Sequence, residues 1–117
     1  MTEEIVKLVV FVPETHADKV REAMGTAGAG RIRDYSHSSF SVKGVGRFMP
    51  LEGAHPAIGK VGALTKVEEE RIETVCYKKD LDKIIVAIKD VHPYEEIALD
   101  VYSLVLDPNE TTYKKQK

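Results

Sequence analysis

Ile5-Val6-Lys7-Leu8-Val9-Val10-Phe11-Val12 is an almost unbroken apolar run, mostly β-branched or aromatic. Side chains of that kind suit a pleated surface, and so few polar interruptions point to a strand buried on both faces. Pro13 stops it. Thr15-His16-Ala17-Asp18 then has the Ser/Thr-x-x-Asp/Glu form of a capping box. Ala17, Val20, Ala23, Met24 and Ala27 fall on one helical face, and Gly28 and Gly30 are candidates to end that helix.

The second half repeats the plan. Arg71 to Cys76 alternates as a strand, and Asp80 stands as a candidate N-cap. Leu81, Ile84, Ile85, Ile88 and Val91 recur at helical spacing, and Pro93 ends that helix at or before His92. Ile97, Leu99, Val101 and Val105 alternate as a last strand. Asp18-Lys19-Val20 and Asp82-Lys83-Ile84 occupy matching places at the two helix starts. Strand, capped helix and strand, twice over, predicts an α+β fold: a ferredoxin-like split βαβ sandwich, its antiparallel sheet carrying two helices on one face.

Between the halves the repeat breaks. Arg31 to Val42 reads as a strand, Gly44-Val45-Gly46 as a hairpin turn and Arg47 to Leu51 as the return. Glu52 to Leu64 is a loop rich in Gly, Ala and Pro, of a length that is usually functional or interfacial. The domain is expected over residues 1–106, with residues 107–117 a flexible tail.

The chain has 117 residues, enough for one core, and a net charge of −2 that offers no basic footprint for nucleic acid. The start, Met1-Thr2-Glu3-Glu4, lacks the basic segment and apolar run of a signal peptide, and no stretch is long enough to cross a membrane. The expected location is cytoplasmic. The lone cysteine, Cys76, has apolar or cationic neighbours and reads as a small core residue.

Four constellations could carry chemistry. His92-Pro93-Tyr94-Glu95-Glu96 is a stiff corner that can aim an imidazole, a phenol and carboxylates at one place. Its plainer reading is a helix stop followed by a solvated strand entry. His37 lies among serines in Tyr35-Ser36-His37-Ser38-Ser39-Phe40, but adjacent strand residues face opposite ways, so a nucleophile–base pair is disfavoured against a ligand-facing strand or simply a polar face. Gly53-Ala54-His55-Pro56-Ala57-Ile58-Gly59-Lys60 misses the phosphate-loop spacing by one residue and has Val61 where Ser or Thr belongs. Structural turns are its plainer reading, though its glycine amides could still hold an anion. Glu68-Glu69-Glu70-Arg71 reads as a solvated edge guarding against aggregation, or as an ion-paired interface.

Across residues 5–105 the chain resembles the YqfO-type insertion domain of the Nif-three-like family, in the form that occurs alone as a small protein. The resemblance rests on Val12-Pro13-Glu14, Gly28-Ala29-Gly30, Ser39-Phe40, Pro50-Leu51-Glu52-Gly53-Ala54, Glu70-Arg71-Ile72-Glu73 and His92-Pro93-Tyr94-Glu95-Glu96, in that order and spacing. It implies a fold like that of CutA and the PII signalling proteins, which tend to be trimers binding metals, nucleotides or small effectors between subunits. The family's two-metal centre lies in flanking domains and is not transferred. Ser38 stands where members often carry Cys, His55 where they carry Asn, and Ile97 where they carry Pro.

These readings lead to a non-enzymatic binding or regulatory module acting as a homo-oligomer, a trimer before a dimer. Tyr35, Ser39, Gly53, His55, Gly59, Tyr94 and Glu95 are its candidate ligand-binding residues. His37, His92 and Glu96 are its candidate ligands for a divalent metal ion. The alternatives are a purely structural oligomerisation domain and, from another class, a metal-dependent hydrolase.

Overall fold

The computed structural model describes residues 4–107. The chain forms β1 (Ile5–Pro13), a short 3-10 turn (Glu14–His16), α1 (Ala17–Thr26), β2 (Phe40–Phe48), β3 (Thr65–Tyr77), a second 3-10 turn (Lys78–Asp80), α2 (Leu81–Val91) and β4 (Leu99–Ser103). The four strands make one sheet in the order β2-β3-β1-β4, every neighbouring pair antiparallel. Both helices cover one face, which is the ferredoxin-like arrangement expected from the repeat.

Period-two alternation builds the core. Val6, Leu8, Val10 and Val12 of β1 and Ile72 and Cys76 of β3 meet Val20 and Met24 of α1 and Ile84 and Ile88 of α2. Val9, on the other face of β1, is also fully buried, while Lys7 and Phe11 beside it are half-buried. Burying side chains of this size contributes roughly 1.5–3 kcal/mol each.

The helix ends follow from specific residues, though not always as the sequence suggests. No side chain caps α1: His16 holds the N-cap position and Thr15 Oγ1 turns to His16 Nδ1, at 2.8 Å, so the capping box is not formed. Asp80 holds the N-cap of α2 by position alone, and its carboxylate pairs with Lys83 at 3.6 Å. At the far end of α1 the Gly28 amide bonds Gly25 O and the Ala29 amide bonds Met24 O. That Schellman closure needs a left-handed residue at Gly28, where φ is +118°.

The middle of the chain departs from its sequence reading. Gly44-Val45-Gly46 is not a hairpin turn. β2 runs straight through it, paired with β3 from Phe40↔Glu73 to Phe48↔Thr65. Residues 31–39, expected to open that strand, form a loop with one bridge between Ile32 and Tyr35. Arg47 and Phe48 finish β2 instead of returning, and β3 begins at Thr65, six residues before the expected start at Arg71. β4 is confined to Leu99–Ser103, so Ile97 and Val105 lie outside it.

The acidic run is corrected too. β3 is a central strand, and Glu69 and Glu70 are 8% and 9% exposed, so they do not form a solvated edge. Glu70 is neutralised by the Arg21 guanidinium, which also donates to Ser41 Oγ. β1 ends its pairing at Pro13↔Glu69, so Thr65–Glu68 and the facing end of β2 project beyond it as a two-stranded arm, tipped by loop 49–64. The described residues span 55 × 26 × 23 Å. Apart from Asp107, the expected tail lies outside the described residues.

Candidate functional site

A cavity of about 620 Å³ opens where the arm leaves the body, between loop 49–64 and the corner that follows α2. Phe11, Phe48, Leu51 and Ile58 line it together with Glu69, Tyr94, Glu95 and Glu96. Its size and mostly apolar wall are those of small-ligand sites.

The side chains of His92, Tyr94 and Glu95 hold the corner to its surroundings. His92 caps α2 in an extended conformation (φ −80°, ψ 134°), as the following proline requires. The Tyr94 amide donates to His92 Nδ1 at 3.2 Å, so the proton sits on Nε2, which donates to Phe11 O at 2.8 Å. Burial holds the His92 imidazole below its ordinary range, partly opposed by that carbonyl bond, which favours the charged ring. The Tyr94 ring lies against His92 (centroids 5.1 Å apart) and edge-on to Phe48 (5.7 Å). Its hydroxyl donates to Glu69 Oε2 at 2.8 Å. Burial first, then the Glu69 carboxylate, pushes the phenol far above the usual tyrosine range.

Gly46 of β2, diagonally across the ladder from Glu69, leaves room for its carboxylate. A Cβ on Gly46 would stand 2.0 Å from Glu69 Oε1. Glu95 Oε1 accepts the His55 amide at 2.7 Å, and its other oxygen lies 3.9 Å from His55 Nδ1, tying the glycine-rich loop to the corner.

The residues singled out from the sequence thus fall into two groups. Tyr94, Glu95 and Glu96 line the cavity, and His55, between Gly53 and Gly59 on the loop, is joined to it through Glu95. His37, Ser39 and Tyr35 lie elsewhere. His37 has a left-handed backbone (φ 60°), its ring sits against Gly25, and its Nε2 is 4.0 Å from Glu22. Ser39 shares a tight crevice with His37, and Tyr35 is 73% exposed. His37, His92 and Glu96 are therefore not brought together as a metal site. Both His92 nitrogens are spent on backbone groups, and no cluster of three or more His, Cys, Asp or Glu suited to a metal exists among the described residues.

Sequence reasoning missed Glu69, Phe11 and Phe48. Nothing in Glu68-Glu69-Glu70 marks the middle carboxylate. Only the register that sets it beside Gly46 does so. Cys76 lies in the core, its thiol pushed up to about 11 by burial and by Asp80.

Strand order, helix placement and the arm define a ferredoxin-like domain. CutA from Archaeoglobus fulgidus superposes with a TM-score of 0.64 over 88% of this chain and 86% of that one, at 9% identity. The GlnK–ATP complex of Bacillus subtilis superposes at 0.57 over 88% and 85%, at 18% identity. At these identities the likeness is one of fold.

The sequence matches reach further. A Bacillus cereus protein related to NIF3 shows a TM-score of 0.80 and 50% identity over 91% of this chain and 27% of its own. A protein of Halalkalibacterium halodurans named GTP cyclohydrolase 1 type 2 homolog is 54% identical over 103 residues, 88% of this chain and 28% of that protein. The chain is therefore similar to one segment of longer proteins of the NIF3-related, YqfO-type family. It spans a little over a quarter of the length of such curated relatives. No family model matches the chain. No helix among the described residues is long and apolar enough to cross a membrane.

Proposed function

We propose that the chain is a non-catalytic, homo-oligomeric binding module of the cytoplasm, and that its binding site is the cavity between loop 49–64 and the His92 corner. The observation that carries this reading is a mostly apolar cavity beside which the imidazole, the phenol and the thiol are each occupied or buried. His92 has no free nitrogen, the Tyr94 proton is held by Glu69, and the only thiol is in the core. A general base needs a free lone pair near the working pH, and none of these groups offers one. The activity in the relatives' name belongs to proteins of which this chain matches about a quarter, so it is not carried over.

The arm supports self-association. A two-stranded ribbon is marginal by itself in water, and this one leaves Val45, Met49, Leu51, Val61 and Leu64 exposed, Leu51 at 70%. A second copy is the partner such a surface fits. A lone buried thiol suits a reducing compartment.

A thermal-shift screen of small aromatic and aliphatic fragments tests the reading. Hits should raise the melting point of the wild type by mass action and leave Phe48→Ala unmoved. Fragments that stabilise both proteins equally, or none that stabilise the wild type, would remove the cavity as the site.

A further inference from the structure

Glu69 sets an unusual condition inside the cavity. Its carboxylate is in a residue 8% exposed, yet none of the ion pairs formed among the described residues involves it. Oε2 takes the Tyr94 phenol, the one side-chain donor seen on it among the described residues, while Oε1 lies over the bare Cα of Gly46 at the cavity wall. A carboxylate held largely out of water without an ion-pair partner favours a cation in contact with it. Two further carboxylates, Glu95 and Glu96, line the same cavity with Arg47, while the nearby Arg71 guanidinium, over the Phe11 ring, is paired with Glu73. By strand alternation Arg47 leaves β2 on the face opposite Gly46 and Phe48. Phe48 and Tyr94 pack edge to face, centroids 5.7 Å apart, on the wall of the same cavity. Aromatic faces beside an anionic group favour a cation over a neutral or anionic head.

We propose that the cavity binds a small organic cation, a protonated amine or guanidinium on an aromatic or branched apolar body, with Glu69 Oε1 taking the charged head. This deepens the reading of the cavity as the binding site and rests on it. The apolar body lies among Phe48, Leu51 and Ile58, and the ammonium donates to Oε1 while Tyr94 keeps Oε2.

The test compares three probes of one shape at neutral pH: 2-phenylethylamine, 2-phenylethanol and 3-phenylpropionate, titrated into ¹⁵N-labelled protein and followed at the Phe48 and Tyr94 amides. A charged hydrogen bond is worth enough that the amine should bind at least about tenfold tighter than the alcohol, with the acid weakest. Glu69→Gln keeps the shape and an acceptor for the phenol, and it should bring the amine to the level of the alcohol. Tyr94→Phe keeps the carboxylate and should keep the preference. Equal binding of amine and alcohol by the wild type overturns the cation assignment while leaving the cavity as a site. A preference that survives Glu69→Gln, or is lost in Tyr94→Phe, overturns the role of Glu69. If no probe moves either amide, the cavity reading falls as well. Should Glu69→Gln fail to fold, the wild-type comparison still decides.

Discussion

The layered body and the projecting arm are made from the same sheet, yet different physics holds them. In the body, β1 lies between two strands and under two helices, and seven of its nine residues are buried. In the arm, β2 pairs only with β3, and most of its residues are exposed. The body is stable through burial. The arm is ordered through hydrogen bonds, the Glu95–His55 tie and the cavity at its root, and it presents apolar side chains outward. Stability therefore resides in one region, and the proposed recognition in the other.

The largest effect should come from breaking the body. Leu8→Ala empties a fully buried position and should cost about 2–5 kcal/mol, read as a lower urea midpoint with an unchanged slope. Leu51→Ala on the arm should leave intrinsic stability within about 0.5 kcal/mol. It should instead lower the mass in sedimentation equilibrium, since Leu51 belongs to the surface assigned to a second copy. An equal loss of stability in both variants would erase the distinction.

At the junction, Gly46→Ala should cost about 1–3 kcal/mol, because the added methyl group meets Glu69 Oε1 and forces the carboxylate off Tyr94. The melting temperature measures the loss. Gly44→Ala, which meets nothing within 4 Å, is the control for intrinsic glycine effects.

The corner adds a pH dependence of known sign. His92 has a lower pKa folded than unfolded, so the unfolded chain binds the extra proton first. Its contribution is fully present above the ordinary histidine pKa of about 6.5 and is lost as pH falls from there through the lower folded value, with a slope of at most about 1.4 kcal/mol per pH unit. Denaturation series between pH 7.5 and 5 should show this slope in the wild type and a weaker one in His92→Gln. Glu69 and His16 are the ionisable side chains that face His92 and act on it.

The smallest effect belongs to the latch. Glu95→Ala removes the acceptor of the His55 amide on a half-open surface and should cost under about 1 kcal/mol. The His55 amide should nevertheless exchange faster with deuterium, while the amides of β1 keep their rates.

The same contrast explains what could be read in the sequence. Val6, Leu8, Val10 and Val12 alternate because one face meets the helices, and Ile84 and Ile88 keep helical spacing because one stripe meets the sheet. The body was legible for that reason. β2 is exposed on both faces of the arm, so its apolar residues follow no single period, and two glycines suggested a turn where the strand passes straight through. One of them, Gly46, leaves room for the carboxylate of Glu69 diagonally across the ladder, a relation that only the β2–β3 register reveals. Tyr94 and Glu95 could be picked out because Pro93 marks a stiff corner. Glu69 could not, because an acidic residue in a charged run looks alike whether water or a phenol receives it. His37 and His92 are both conspicuous in the sequence, but they serve different loops, and His92 is consumed by the backbone it organises.

The central claim is that the cavity at the root of the arm is where this module binds. Crystals soaked in turn with members of a fragment library address it most directly. The expected result is fragment density against Phe48 and Tyr94, with basic fragments directed at Glu69. Fragments found only elsewhere, such as the shallow groove between α1 and α2 lined by Ala23, Ala27 and Ala87, would contradict it.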